Sequence, residues 1–326
     1  METMGKLFAI GEVLIDFIPM QKGAALKDVY SFERTPGGAP ANVAAAVSKY
    51  GQSSSMISKL GKDAFGDFLV EKLIEAGVET DKIFRTDEAN TALAFVSLKE
   101  NGERDFSFYR NPSADLLLKE EEVNPTWFQE GDFLHFCSVD LVESPMKQAH
   151  KKAIHAVSEA GGMVSFDPNV RLPLWNNKED CRKAILEFLP LADIVKVSDE
   201  ELEFITGINN EEEALQSLFM GKVKAVVFTK GAAGAELIML SEKYHSKGYS
   251  VDVKDTTGAG DAFIGGLLYK LLEFETNTLN LETIVHLHHK EILSFANASG
   301  ALTTTGSGAI SALPSKKEIE SLVNAR

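Results

Sequence analysis

Apolar residues recur along the chain in two rhythms, and the alternation between them predicts the architecture. Short apolar runs read as buried strands: "KLFAIG" at 6–11, "FLHFC" from Phe133, "MVSFD" from Met163, "DIVKVS" from Asp193 and "AVVFT" from Ala225. The last four begin 30, 30 and 32 residues apart. Stretches with helical spacing fill the gaps, such as "MKQAHKKAIHAVSEAGG" (146–162) and "KEDCRKAILEFL" (178–189). Strand, helix and strand at that period form βαβ units, so the pattern predicts an α/β fold with a mostly parallel sheet and helices on both faces. Upstream, "GGAPANVAAAVSKYG" (37–51) predicts a helix with Pro40 in its first turn, Val43, Val47 and Tyr50 at helical spacing, and Gly51 at its end. "FGDFLVEKLIEAG" (65–77) repeats the design, with Gly77 as the stop.

Two stretches break this rhythm. Residues 12–36 hold "EVLIDFIP" and "VYSFER" around a polar turn, and residues 90–112 hold "TALAFVSL", "NGE" and "RDFSFYR". Asn101-Gly102 between two alternating runs is a hairpin signal. Both stretches read as half-exposed antiparallel strands in a small sheet standing off a body made of 1–11, 37–89 and 113–326.

The 326 residues are 44% hydrophobic and 25% charged, in the range of globular proteins. A formal net charge of −15 disfavours nucleic acid or an anionic membrane as partner, yet permits a nucleotide in a local pocket. The only cysteines, Cys137 and Cys181, are not spaced as metal ligands and suit a reducing compartment. Glu12 and Asp16 interrupt the first apolar run, which reads as neither signal peptide nor membrane span. These features lead to the expectation of a cytoplasmic protein. The cluster "HLHH" (286–289) lacks a carboxylate or cysteine to complete a metal set and reads as a surface helix.

The chemistry concentrates in "DTTGAGDAFIGG" (255–266). "GYSVDV" (248–253) before it reads as a strand, and "AFIGGLLYKLLE" (262–273) after it as a buried helix. The turn brings Gly258, Ala259 and Gly260 to the start of that helix, where free N–H groups and the positive dipole end form an anion site. Asp261 sets a carboxylate beside it. A reaction in which an alcohol attacks a γ-phosphoryl group uses both parts: Asp261 accepts the alcohol proton, and the amides stabilise the transferring charge. The same residues also fit a plain glycine turn with a capped helix. A dinucleotide fingerprint fails because Phe263 stands where a third glycine is required, and "TKGAAG" (229–234) lacks the G-K-[ST] of a Walker loop. A second motif, Gly37-Gly38 followed by Asn42, offers close main-chain approach and an amide able to donate and accept.

Together, "GGAPANVAAAVSKYG" and "DTTGAGDAFIGGLL" resemble the two signatures of the PfkB (ribokinase-like) carbohydrate kinases, in order and separation. "IGEVLIDFIP", "RNPSADLLL", "FDPNVRLPLW", "KVSDEELEFITG" and "ALTTTGSGAISALP" are most similar to fructokinases. The resemblance implies a ribokinase-like fold and phosphorylation of a sugar primary hydroxyl by ATP, with fructose to fructose 6-phosphate favoured. Kinases for aminoimidazole riboside or 2-keto-3-deoxygluconate share these motifs and remain alternatives, as does a non-catalytic sugar or nucleotide sensor.

By position, the resemblance assigns Asp16, Gly37, Gly38, Asn42 and Arg110 to the sugar, and Arg171 to the transferring phosphate. It assigns Thr229, Gly231, Gly234 and Asn297 to the nucleotide, and Glu201 to magnesium through water. Ser198 replaces the asparagine of the family's Asn-x-x-Glu pattern. Asp255 and the Thr257 carbonyl would hold a monovalent cation such as potassium. The small sheet (12–36 and 90–112) corresponds to a lid that closes over the sugar and forms a homodimer contact in many relatives.

Overall fold

A computed structural model describes residues 5–21, 23–98 and 104–325. The chain opens with strand β1 (Leu7–Ile10), whose residues alternate between two hydrophobic cores: Leu7 and Ala9 face one, Phe8 and Ile10 the other. It then leaves the main body for β2 (Leu14–Pro19) and β3 (Phe32–Gly37). It returns through helix α1 (Ala39–Tyr50), β4 (Ser54–Gly61), α2 (Ala64–Glu75) and β5 (Ile83–Thr86). A second excursion makes β6 (Leu93–Leu98) and β7 (Arg104–Tyr109). The rest alternates as read from sequence: β8 (Phe133–Cys137), α3 (Pro145–Glu159), β9 (Met163–Asp167), α4 (Lys178–Phe188) and β10 (Ile194–Ser198). Helices α5 (Asp199–Thr206) and α6 (Glu211–Ser217) precede β11 (Ala225–Thr229), β12 (Ala235–Met239) and β13 (Lys243–Ser246). Helices α7 (Ala259–Glu273), α8 (Leu281–Thr303) and α9 (Lys316–Asn324) complete the chain.

Among the described residues the main sheet has the order β13-β12-β11-β10-β9-β8-β1-β4-β5. It is parallel from β11 to β5, and β12 and β13 pair antiparallel at one end. Helices α1, α7 and α8 cover one core, and α3 to α6 the other. A second sheet runs β3-β2-β6-β7. Its outer pairs are antiparallel, and the two halves join through parallel pairing of β2 with β6. The Asn101-Gly102 turn lies outside the described residues. β3 runs to Gly37, so the first glycine of the pair ends a strand of the small sheet.

One expected strand is absent. Residues 248–253 form no strand; β12 and β13 supply the antiparallel end of the sheet instead. Gly248 lies against the Ala232 carbonyl, which a Cβ would approach to 2.4 Å, so this segment packs as a close connector across the 231–234 turn. No helix among the described residues is long and apolar enough to cross a membrane.

The packing that matters most for function is α1 on α7. Alanines line α1, and Gly265 of α7 sits so close that a Cβ would come within 2.6 Å of Ala46 Cβ. Tyr50, Tyr269 and Phe295 tie α1, α7 and α8 together through ring contacts of 5.1–5.8 Å.

Candidate active site

The parallel strands end along one edge, where Cys137 is in register with Asp167 and Ser198 with Thr229. Ligands of open α/β sheets bind outside this carboxyl edge. The turn from Thr256 to Asp261 stands there. Gly258 adopts φ +75° as the cap of α7, a conformation that glycine takes without penalty. Ala259 N–H turns back to the Thr256 carbonyl at 3.3 Å, and Ala262 N–H is bonded to Gly258 O at 2.8 Å. Between them the N–H groups of Gly260 and Asp261 head the helix, where no intrahelical acceptor exists. Gly260 is exposed, so the turn opens to solvent. Gly258→Ala is expected to lose about 1–2 kcal/mol to the left-handed backbone alone. The new Cβ would also come within 2.6 Å of Ala309 Cβ. A lowered Tm in calorimetry checks this.

Asp261 lies in the first turn of α7, partly buried. Asn42, in the first turns of α1, donates from Nδ2 to Asp261 Oδ2 at 2.8 Å. Burial raises the Asp261 pKa; the Asn42 bond, Arg171 and Lys196 pull it back toward the ionised form. Asp16, at the start of the small sheet, sets its carboxylate against the Gly37 backbone, where a Cβ would approach Oδ2 to 2.1 Å. Glu12 Oε1 accepts the Ala39 N–H at 2.8 Å and fixes the entry to α1. Asp16, Gly37, Gly38, Asn42 and Asp261 are thereby gathered at one place.

The sequence reading did not single out Lys196. Its Nζ donates to Asp167 Oδ2 at 2.9 Å and lies 3.4 Å from where a Gly260 Cβ would be. Burial pulls its pKa down, but Asp167, Glu201 and Asp261 outweigh that and hold the ammonium above its ordinary value. A fixed positive charge therefore underlies the anion turn. The available signal was a lysine at the centre of an apolar strand, since buried lysines are rare unless paired.

Arg171 follows β9 and is exposed, with Nη1 donating to the Val170 carbonyl at 3.0 Å. Glu201 accepts from Val170 N–H at 2.7 Å, from Ser198 N–H at 3.0 Å and from Ser198 Oγ at 2.7 Å. It closes the capping box of α5 and anchors the Arg171 loop in one act. Burial raises its pKa, and Lys196 and these bonds more than reverse the effect, leaving it an ionised carboxylate. Asp255 accepts Thr257 N–H and Oγ on Oδ1, at 3.0 and 2.7 Å, and Gly308 N–H on Oδ2 at 3.1 Å. It thus binds the 303–308 loop to the turn.

Thr229, Gly231 and Gly234 form a tight turn after β11, with Gly231 at φ +50° and Gly234 at φ +106°. Asn297 donates to the carbonyls of Ser246 and Lys247 at 3.1 and 3.4 Å, tying α8 to the connector beyond β13. Arg110 is not an open arginine. Its guanidinium is 5% exposed and bonded to both Asp115 and Asp140. Its place is the root of the small sheet, where the acids that neutralise it outcompete solvent.

Comparison with known proteins identifies the family. The model of the pfkB family carbohydrate kinase matches residues 4–316. Fructokinase-2 of Solanum lycopersicum is 44% identical over 324 residues, covering 98% of this chain and 97% of that protein. A fructokinase with bound ATP from Xylella fastidiosa superposes with a TM-score of 0.91 at 36% identity, covering 99% of each chain. An aminoimidazole riboside kinase from Salmonella enterica, complexed with its riboside and an ATP analogue, gives 0.85 at 31% identity, over 98% of this chain and 100% of that one. With a full-length match, an anion turn at the sheet's carboxyl edge and a carboxylate beside it, the chain belongs to the pfkB family of carbohydrate kinases.

Proposed function

We propose that the protein transfers the terminal phosphoryl group of ATP to the primary hydroxyl of fructose, giving fructose 6-phosphate. One observation carries this reading: the Asp261 carboxylate lies within the turn whose amides face the incoming anion, and Asn42 holds it there at 2.8 Å. The nucleotide lies along the edge formed by Thr229, Gly231, Gly234 and Asn297, with its terminal phosphate at Gly258–Gly260. Fructose lies over Asp16, Gly37, Gly38 and Asn42. Asp261 takes the hydroxyl proton as the oxygen attacks in line. The Gly260 and Asp261 N–H groups, Lys196 and Arg171 offset the charge on the transferring group.

Glu201 has both oxygens occupied by hydrogen bonds but retains a lone pair, so it fits magnesium through water and not by direct ligation. When bound, magnesium neutralises charge on the nucleotide phosphates. Asp255, the Thr257 carbonyl and the 303–308 loop suit a monovalent cation such as potassium. Residues 12–36 and 90–112 act as a lid and as the face of a homodimer. Two free, buried cysteines accord with a cytoplasmic setting.

Purified protein assayed with ATP against fructose, aminoimidazole riboside, 2-keto-3-deoxygluconate and ribose tests the reading. The expected result is the highest kcat/KM with fructose and formation of the 6-phosphate. A higher kcat/KM for the riboside would assign the protein to the alternative that the Salmonella structure favours. Binding of ATP and sugar without turnover would make it a sensor.

A further inference from the structure

Asn42 and Asp261 are 219 residues apart in the chain, and their contact links α1 to α7. An ionised carboxylate only accepts hydrogen bonds, so the amide nitrogen of Asn42 must face Asp261. Its oxygen then points elsewhere. Asn42 is 6% exposed, and its Oδ1 is buried with no hydrogen-bond partner. A buried carbonyl without a donor costs about 1–3 kcal/mol. Such an atom next to the base calls for a donor from outside the chain.

We infer that Asn42 is the positioning residue for the base: its amide nitrogen aims the Asp261 carboxylate, so one residue both meets the sugar and sets the proton acceptor. This rests on the reading of Asp261 as base and deepens it. The two helices are set to permit this, because the close approach of Gly265 to Ala46 leaves neither free to shift.

Other groups also act on Asp261. Lys196 from β10 and Arg171 from the loop after β9 favour its ionised form. Asp167 at the end of β9 and Cys137 at the end of β8 share its field. None of these changes when Asn42 is replaced, so a displaced titration in an Asn42 variant reports on the amide itself.

The test is the pH profile of kcat/KM for wild type, Asn42→Ala and Asn42→Asp, with ATP and fructose. The base works only when deprotonated, so raising its pKa moves the low-pH limb toward higher pH. The expected shift is about one pH unit in Asn42→Ala and more in Asn42→Asp, where two carboxylates share one site. KM for fructose rises while KM for ATP stays within about twofold, because only the acceptor contact is lost. A limb that stays in place in both variants, with only KM for fructose raised, would reduce Asn42 to a sugar ligand and overturn the inference. Where turnover is too slow to profile, carboxyl 13C titration of Asp261 reads the same shift, with Asp261→Asn identifying its resonance. Loss of activity in Asp261→Asn together with an unmoved limb defeats this inference alone. Retained activity in Asp261→Asn defeats the base reading itself.

Discussion

Asp261→Asn is expected to lower kcat by roughly 10²–10⁴-fold, the span of a lost general base, while KM for ATP stays close to wild type. The substitution keeps size and shape. It leaves the Gly258–Gly260 amides, Lys196 and Arg171 in place, so phosphate binding persists and only proton removal is lost. Stability moves the other way. Burial raises the Asp261 pKa, which means that its charge is costly in the folded chain above the ordinary carboxylate range. A neutral amide relieves that cost, so Tm is expected to hold or rise. Initial rates with fructose and a thermal melt check the two halves together. Turnover near the wild-type rate would remove Asp261 from the mechanism, and a fall in Tm would trace the lost activity to misfolding.

The largest stability effect is expected from Arg110→Ala, about 3–5 kcal/mol, because it strands buried carboxylates without their cation. Asp115 and Asp140 are each 1% exposed, and Glu12 lies close enough for its charge to be felt. Burial already pushes Asp140 up to about 7, and burial together with Asp140 pushes Glu12 well above its usual range. Both acids therefore bind protons more tightly folded than unfolded. Between the ordinary carboxylate range and about pH 7 the folded chain carries the extra protons, so stability falls as pH rises through that window. Loss of the guanidinium removes the charge that restrains both acids. The deficit of the variant is thus larger at pH 8 than at pH 5, and urea unfolding at the two values measures it. Equal deficits would show that the arginine acts through packing alone.

Much of this was legible in the sequence, for physical reasons. Strands at a 30-residue period with helices between them fit few arrangements other than a parallel sheet, and the observed one follows that reading from β8 to β11. The glycines at 258 and 260 mark a turn, and the apolar run after them marks a buried helix, so the anion turn could be read locally. What escaped depends on contacts across the fold. "GYSVDV" alternates like a strand, but pairing requires a neighbour, and β13 already occupies that edge. Lys196 gains meaning only because the sheet carries it under Gly260. The Asn42 bond to Asp261 joins two motifs that no local pattern relates. The pairing of Arg110 with Asp140 also escaped, because the two lie 30 residues apart with β8 between them.

The tight seam of glycine and alanine between α1 and α7 has a consequence for selectivity. Asn42, the base and the phosphate turn are clamped into one block that is set before any acceptor arrives. Water entering that block with ATP in place would find the same proton acceptor that fructose does. Discrimination against futile hydrolysis must then come from shielding the cleft and from the hydroxyl geometry that only a polyol can offer.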